Sequence, residues 1–281
     1  MSSKVHKTII SANHKWYNIN FREIWNYRDL LKTIVKRDII IVYKQTILGP
    51  LWFVIQPIAT SLVFTMVFGR IAKLTPSGIP NFPFYFGGLL LWSFFAETFI
   101  KTSDTFFTNQ NVFGKVYFPR LIVPLTTIAS AFIKFLVQFI LFIGICLYHY
   151  QQTPEVSPNI HILLLPFLLL IMASLGSGLG MIFTSLTTKY RDLKFLLQFG
   201  VGLLMWLAPI AYPLSGIPEG MQFWFKLNPI THVVESFKYA FLNHGFFDWQ
   251  WLAYSATIAI VVYIFRVFVF NTTEKDFIDR I

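Results

Sequence analysis

The residues that could do chemistry in this chain are few, and their spacing suits no common catalyst. The six histidines, His6, His14, His149, His161, His232 and His244, include no pair at metal-ligand spacing. Gly114-Lys115 comes nearest to a phosphate-cradling loop, but Val116 follows it and no glycine stands at the upstream position that such a loop needs. The motifs HExxH, CxxC, GxSxG and DxD are absent. The single cysteine, Cys146, lies inside an apolar run, where it reads as a small buried residue, and no disulfide can form within the chain. Intrinsic catalysis therefore has little support. Energy for any active transport must come from a gradient or from a partner.

What remains is a set of polar groups in apolar surroundings. Lys134 lies well inside one apolar run and Glu97 near the end of another. A lysine at the centre of a membrane helix costs about 2.5–3.5 kcal/mol, so Lys134 must line a wet pathway, pair with a group such as Glu97, or snorkel. Gln138 is one helical turn beyond it. Arg266, near the end of the last apolar run, reads as a snorkelling anchor. Ionisable groups in series, as a proton relay needs, are sparse.

The elements that must position these groups are membrane helices. Of 281 residues, 55% are hydrophobic and only 13% charged, against roughly 25% charged in an ordinary soluble domain; mean hydropathy is +0.59. Six apolar segments stand out, at about 48–68, 82–100, 121–148, 161–186, 195–212 and 251–270. The expected fold is all-α and polytopic, with six spans in a domain over 48–270, a cytoplasmic region 1–47 and a tail 271–281. No cleavable signal peptide is expected, since residues 1–20 are polar.

The net charge of +10 is explained by its placement and calls for no nucleic acid. Lys and Arg number 17 in 1–47, 101–120, 187–194 and the tail, against four in the alternate loops. The positive-inside rule puts both termini in the cytoplasm. Within 1–47, "NFREIWNYRDLLKTIVKRDIIIVYK" has capping-box spacing at Asn20 and Glu23. It carries one apolar face, Ile24, Tyr27, Leu31, Ile34, Val35 and Val42, and one polar face with Arg28, Lys32, Lys36 and Arg37. Such a helix lies in the headgroup layer or packs on protein. Pro57 should bend the first span. Gly176 and Gly180 form a GxxxG that packs helices within one subunit or between two copies.

The segment "LSGIPEGMQFWFKLNPITHVVESFKYAFLNHG", 214–245, falls outside by the same charge count. It predicts two helices too short to span. In the second, Asn228 caps, Pro229 takes the first position, and Asn243 and Gly245 suit termination. Ile230, Val233, Val234, Phe237 and Phe241 make an apolar stripe, and Thr231, His232, Glu235 and Lys238 a polar one. The pair either sits at the interface as an aromatic belt or re-enters and roofs a pathway exit.

The runs "YKQTILGPLWFVIQPI", "GKVYFPRLIVPL", "TTKYRDLKFLLQFGVGLLMWLAPIAYPLSGIP" and "LNPITHVVESFKYAFL", with the terminal "TEKDFIDRI", occur in that order over about 20–281. Together they resemble the membrane subunits of ABC-2 type polysaccharide exporters, in particular the O-antigen (lipopolysaccharide) permeases, with teichoic-acid and capsule permeases as near relatives. The resemblance implies a homodimer in the bacterial cytoplasmic (inner) membrane, docked to two copies of an ABC ATPase. That partner would use ATP and Mg²⁺, and this chain would bind no cofactor. The cargo would be a glycan on undecaprenyl pyrophosphate. The two short outward helices would be gate helices. The loop 101–120 would supply a coupling helix over 104–111, with Asp104, Phe107 and Asn111, and Tyr190, Arg191 and Asp192 would be a second contact. Trp206, Tyr212, Phe223, Trp224 and Phe225 would stack sugar or gate the exit. Arg28, Lys32, Lys36 and Arg37 would guide the pyrophosphate headgroup or simply hold anionic lipid. A membrane enzyme on lipid-linked glycan would want a catalytic group in the outward loop, which offers little. A gradient-driven flippase would want more ionisable residues within the spans or an internal repeat.

Overall fold

The computed structural model describes residues 25–44, 46–76, 78–105, 122–152, 157–190 and 192–278. These form nine α-helices, with no strand among the described residues: α1 (Arg28–Tyr43), α2 (Trp52–Phe64), α3 (Asn81–Ser103), α4 (Ile122–Gln152), α5 (Leu165–Lys189), α6 (Leu193–Leu204), α7 (Glu219–Lys226), α8 (Pro229–Leu242) and α9 (Trp249–Ile278). The expected capping box at Asn20 and Glu23, Ile24, and the sites Phe107, Asn111 and Arg191 lie outside the described residues.

Four stretches are long and apolar enough to cross a membrane: Gly49–Ile71, Asn81–Ser103, Ile122–Gln152 and Ile160–Thr184. They correspond to the first four expected spans. The fifth, expected over 195–212, is a shorter apolar helix, Leu193–Leu207. It stops because Pro209 disfavours helical backbone at Ala208, which is extended with φ −106° and ψ 144°. The sixth expected span falls within the 30-residue α9.

The centre of the bundle is α3, with 16 of its 23 residues buried. Gly87 and Gly88 make this possible. A Cβ on Gly87 would come 3.2 Å from the rings of Phe142 and Phe237, and one on Gly88 would come 3.3 Å from Ile210. The expected GxxxG proves to be an intrachain seam. Gly176 and Gly180 lie against the Phe95 and Phe99 carbonyls of α3, and a Cβ on Gly180 would come 2.7 Å from Thr102. Farther along the seam, Thr184 donates to the Thr102 carbonyl (2.9 Å) and Thr187 to that of Ser103 (2.6 Å). Small residues let two backbones meet, and hydroxyls then satisfy carbonyls left at the end of α3.

The opposite extreme is α2, where only Ser61 and Phe64 are buried. Pro57 sits inside it and has no N–H to give to the Phe53 carbonyl one turn back. Gln138 of α4 supplies the missing donor, its Nε2 bonding that carbonyl at 3.1 Å. Beyond Phe64 the helix widens into a π-helical stretch, Thr65–Ile71. The amphipathic α1 packs Ile34, with Tyr27, Leu30 and Leu31, on Ile122 and Val123 at the start of α4. Its basic face, Arg28, Lys32, Lys36 and Arg37, is exposed.

One expectation is overturned here. Arg266 does not snorkel: it is 4% exposed, donates from Nη1 to Ser177 Oγ (2.9 Å) and lies 3.7 Å from the Tyr263 ring centre. A guanidinium this close to a ring face gains cation–π attraction that partly offsets its burial.

Candidate functional site

Two regions collect the residues expected to act, one at each end of α6. At the C-terminal end of α6, α7 leaves all eight residues unburied, with Trp224 70% exposed. The next helix, α8, has 12 of its 14 residues buried. Asn228 caps it through Oδ1, accepting from the Ile230 N–H (3.0 Å), and Pro229 opens it. Asn243 ends it in the left-handed region with φ 51°. These local features match expectation.

The polar face expected of α8 is buried: Thr231, His232, Glu235 and Lys238 each turn to a backbone group rather than to open surface. Thr231 donates to the Phe225 carbonyl (2.7 Å) and the His232 Nε2–H to that of Lys226 (2.7 Å). Tyr254 of α9 donates to the Leu227 carbonyl (3.0 Å), and Asn228 Nδ2 to that of Leu207 (3.1 Å). The carbonyls at the end of α7 are thus capped by its neighbours, which fixes that end while its aromatic side stays open.

Glu235 and Lys238 lie deepest. Lys238 is fully buried; its ammonium donates to the Pro209 carbonyl (2.6 Å), stands 3.8 Å from Glu235 Oε1 and 3.8 Å above the Phe84 ring centre. Glu235 Oε2 accepts from the Phe246 N–H (3.0 Å). Burial pushes Lys238 down to about 8, against the pull of Glu235, and pushes the Glu235 carboxyl up. Burial also holds His232 below its usual range.

Trp206, Tyr212 and Phe225 are brought together. Tyr212 donates to the Trp206 carbonyl, and its ring meets Phe225 edge-on at 6.0 Å. Trp206 stacks on Phe64 (6.1 Å) and lies 5.8 Å from Phe68. An aromatic line therefore runs from α2 to α7. Phe64, Phe68 and Tyr85 belong to it and were not singled out from the sequence, although Phe64 and Phe68 stand one turn apart. Phe223 and Trp224 face each other at 6.0 Å on the exposed side of α7.

At the other end, Lys134 bonds Glu97 at 3.0 Å, and Lys101 bonds the same carboxylate at 2.5 Å. Lys134 also lies 5.9 Å from the Phe53 ring centre, beside the carbonyl that Gln138 serves. Asp104 pairs with Lys194, so the end of α3 meets the first turn of α6. Tyr190 and Asp192 are exposed in the intervening turn. Among the described residues no cluster of His, Cys, Asp and Glu could hold a metal. Among the described residues the arrangement offers polar anchors at both ends of a lightly packed apolar wall, which suits passage of a cargo.

Comparison with known proteins agrees. Residues 29–242 match the family model described as ABC-2 type transporter. An O-antigen export system permease protein RfbA of Klebsiella pneumoniae is 26% identical over 250 residues, covering 89% of this chain and 93% of its own. The protein of that name from Myxococcus xanthus is 26% identical over 263 residues, covering 92% and 98%. The polysialic acid transport protein KpsM of Escherichia coli is 27% identical over 234 residues, covering 81% and 87%. With residues 29–242, three-quarters of its length, inside that family model, this chain belongs to the ABC-2 type transporter family.

Proposed function

We propose that this chain is the permease subunit of an ATP-driven exporter of lipid-linked polysaccharide, of the O-antigen class, in a bacterial cytoplasmic membrane. The observation that carries the proposal is the wall formed by α2 and α6. Both are apolar, yet α6 buries only Val201 and α2 only Ser61 and Phe64. Gly200 and Gly202 of α6 have nothing within 4 Å of where a Cβ would be. Glycine inside a helix costs about 1 kcal/mol relative to alanine, and no packing within the protomer repays it. A second copy and a passing glycan would account for this bare face. The aromatic line of Phe64, Trp206, Tyr212 and Phe225 would give sugar rings apolar faces to slide on.

In this reading α6 and α9 complete six spans, both termini are cytoplasmic, and α7 and α8 roof the exit. Two copies pair and engage two copies of an ABC ATPase, which binds ATP and Mg²⁺. Asp104, Phe107, Asn111, Tyr190, Arg191 and Asp192 meet that ATPase. Arg28, Lys32, Lys36 and Arg37 hold the pyrophosphate of the lipid carrier. Lys134 is assigned less to the pathway than to its pairing with Glu97. The similarity to a polysialic acid transport protein favours one second reading, in which the cargo is a capsule polysaccharide.

The test is genetic and biochemical together. The tagged chain should co-purify with an ABC ATPase, and its deletion should leave lipid-linked glycan in the inner leaflet. The reading fails if no ATPase associates and export persists without the chain. The composition of the retained glycan separates O-antigen from capsule.

A further inference from the structure

The helix α6 is held at its ends and only lightly between them, by Val201 and the partly buried Leu197 and Leu204. Its outer end runs into Ala208, Ile210 and Ala211, all buried. There the Leu207 carbonyl accepts from Asn228 and the Pro209 carbonyl from the Lys238 ammonium. Val201 is its single buried residue, while Phe195, Leu196, Phe199 and Leu203 are exposed. At its first turn the tie is Lys194 to Asp104.

Asp104 stands at a rigid corner. It follows Ser103, whose carbonyl accepts from Thr187, and Thr102, whose carbonyl accepts from Thr184. The ends of α3 and α5 are thereby joined where the chain leaves α3. A force applied to the residues expected to meet the ATPase beyond Asp104 reaches the corner through Asp104. From there it reaches α6 by two routes, the short turn 190–192 and the ion pair.

We propose that Lys194 is a positioning residue for transport: its pair with Asp104 carries movement of the cytoplasmic corner into α6, which turns about its outer end where Lys238 and Asn228 hold it. This rests on the exporter reading and deepens it, since it names the link between the ATPase-facing loop and the wall that faces the cargo. The pair is partly exposed, with 21% and 33% of the two side chains accessible. Ion pairs of that kind contribute little to folding, so its purpose has to be sought in geometry.

The experiment uses the complex of this chain with its ABC ATPase. Export is measured in cells lacking the chromosomal copy, and ATP hydrolysed per glycan exported is measured in vesicles. Lys194→Glu and Asp104→Lys should each lower export roughly tenfold and raise the ATP used per glycan, and Lys194→Glu, which lies outside the proposed ATPase contacts, should do so with the complex still assembled. The double variant Asp104→Lys/Lys194→Glu should recover most of both. Wild-type export in the single variants, or a double variant no better than either single, overturns the proposal. Single variants whose complex fails to assemble, with no recovery in the double, also overturn it. If the wild-type chain brings down no ATPase, the exporter reading fails, and the fault is not in the link.

Discussion

Two neighbouring helices, α7 and α8, are built from similar residues and do opposite things. In α7, "EGMQFWFK" puts Phe223 and Trp224 outward with no residue buried. In α8, "PITHVVESFKYAFL" buries even its charged residues. Phe237 and Phe241 pack at 4.6 Å from each other and at 5.3 and 5.5 Å from Phe142 of α4. What separates them is surroundings: α8 is enclosed by α3, α4, α5 and α9, whereas α7 touches the rest mainly through its C-terminal carbonyls. One is a pillar and the other a flap hung from it. The exit proposed above has a use for both, because a flap can reposition only against something that does not.

The sharpest way to break this comparison is to make the same substitution on each side. Phe237→Ala should cost about 3–5 kcal/mol and lower the melting temperature of the detergent-purified protein severely. Trp224→Ala should change stability by no more than about 0.5 kcal/mol while altering glycan export or resting leak. Equal melting temperatures for the two would end the distinction between pillar and flap. Next in size is the buried pair. Glu235→Ala strands the Lys238 charge and should cost about 3 kcal/mol, whereas Glu235→Gln with Lys238→Met should cost clearly less, because no unpaired charge is left. A thermal scan of the three proteins decides it. Smaller again is the hinge. Tyr254→Phe removes the donor to the Leu227 carbonyl and should cost about 1 kcal/mol, with faster hydrogen exchange confined to 223–228. Exchange spread evenly over α8 would show that α7 is not hung there.

How much of this was legible in the sequence depended on the reach of each interaction. The caps of α8 were readable because Asn228, Pro229 and Asn243 act on backbone within a few residues of themselves. The glycines 176 and 180 and the proline at 57 were visible as backbone devices, but their partners were not. Gln138 completes the Phe53 carbonyl from 85 residues away, and nothing in its own surroundings announces that task. The polar stripe of α8 misled for the same reason. Thr231, His232, Glu235 and Lys238 share a face by period, and period marks a face without saying what it meets. Here it meets the last carbonyls of α7 and a carbonyl and an N–H of loops, which satisfy polar atoms as well as water does. Arg266 was misjudged in the same way, since its partner Ser177 lies on α5. The ion pair of Asp104 with Lys194 joins two loops that were each picked out from the sequence, but only the fold shows that they touch.

The smallest effect concerns the proton on Lys238, and its sign follows from burial. Burial pushes this amine down to about 8 in the folded chain, against 10.5 for an ordinary lysine. Between pH 7 and 8 the unfolded chain keeps its proton and the folded chain begins to lose it. Stability rises with pH wherever the unfolded state binds more protons, so this window should add about 0.4 kcal/mol. Glu235 opposes the effect by holding the ammonium, and His244, held low by burial and then by the charge of Lys238, is another titratable group beside it. The Glu235→Gln/Lys238→Met variant is compared with the intact pair in a His244→Gln background, which removes the imidazole that Lys238 affects and leaves His232 common to both. The chain with the intact pair should gain slightly more melting temperature than this variant between pH 7 and 8. An identical gain in both would mean that the amine stays charged throughout, which would make α8 a pillar braced by a full ion pair at every physiological pH.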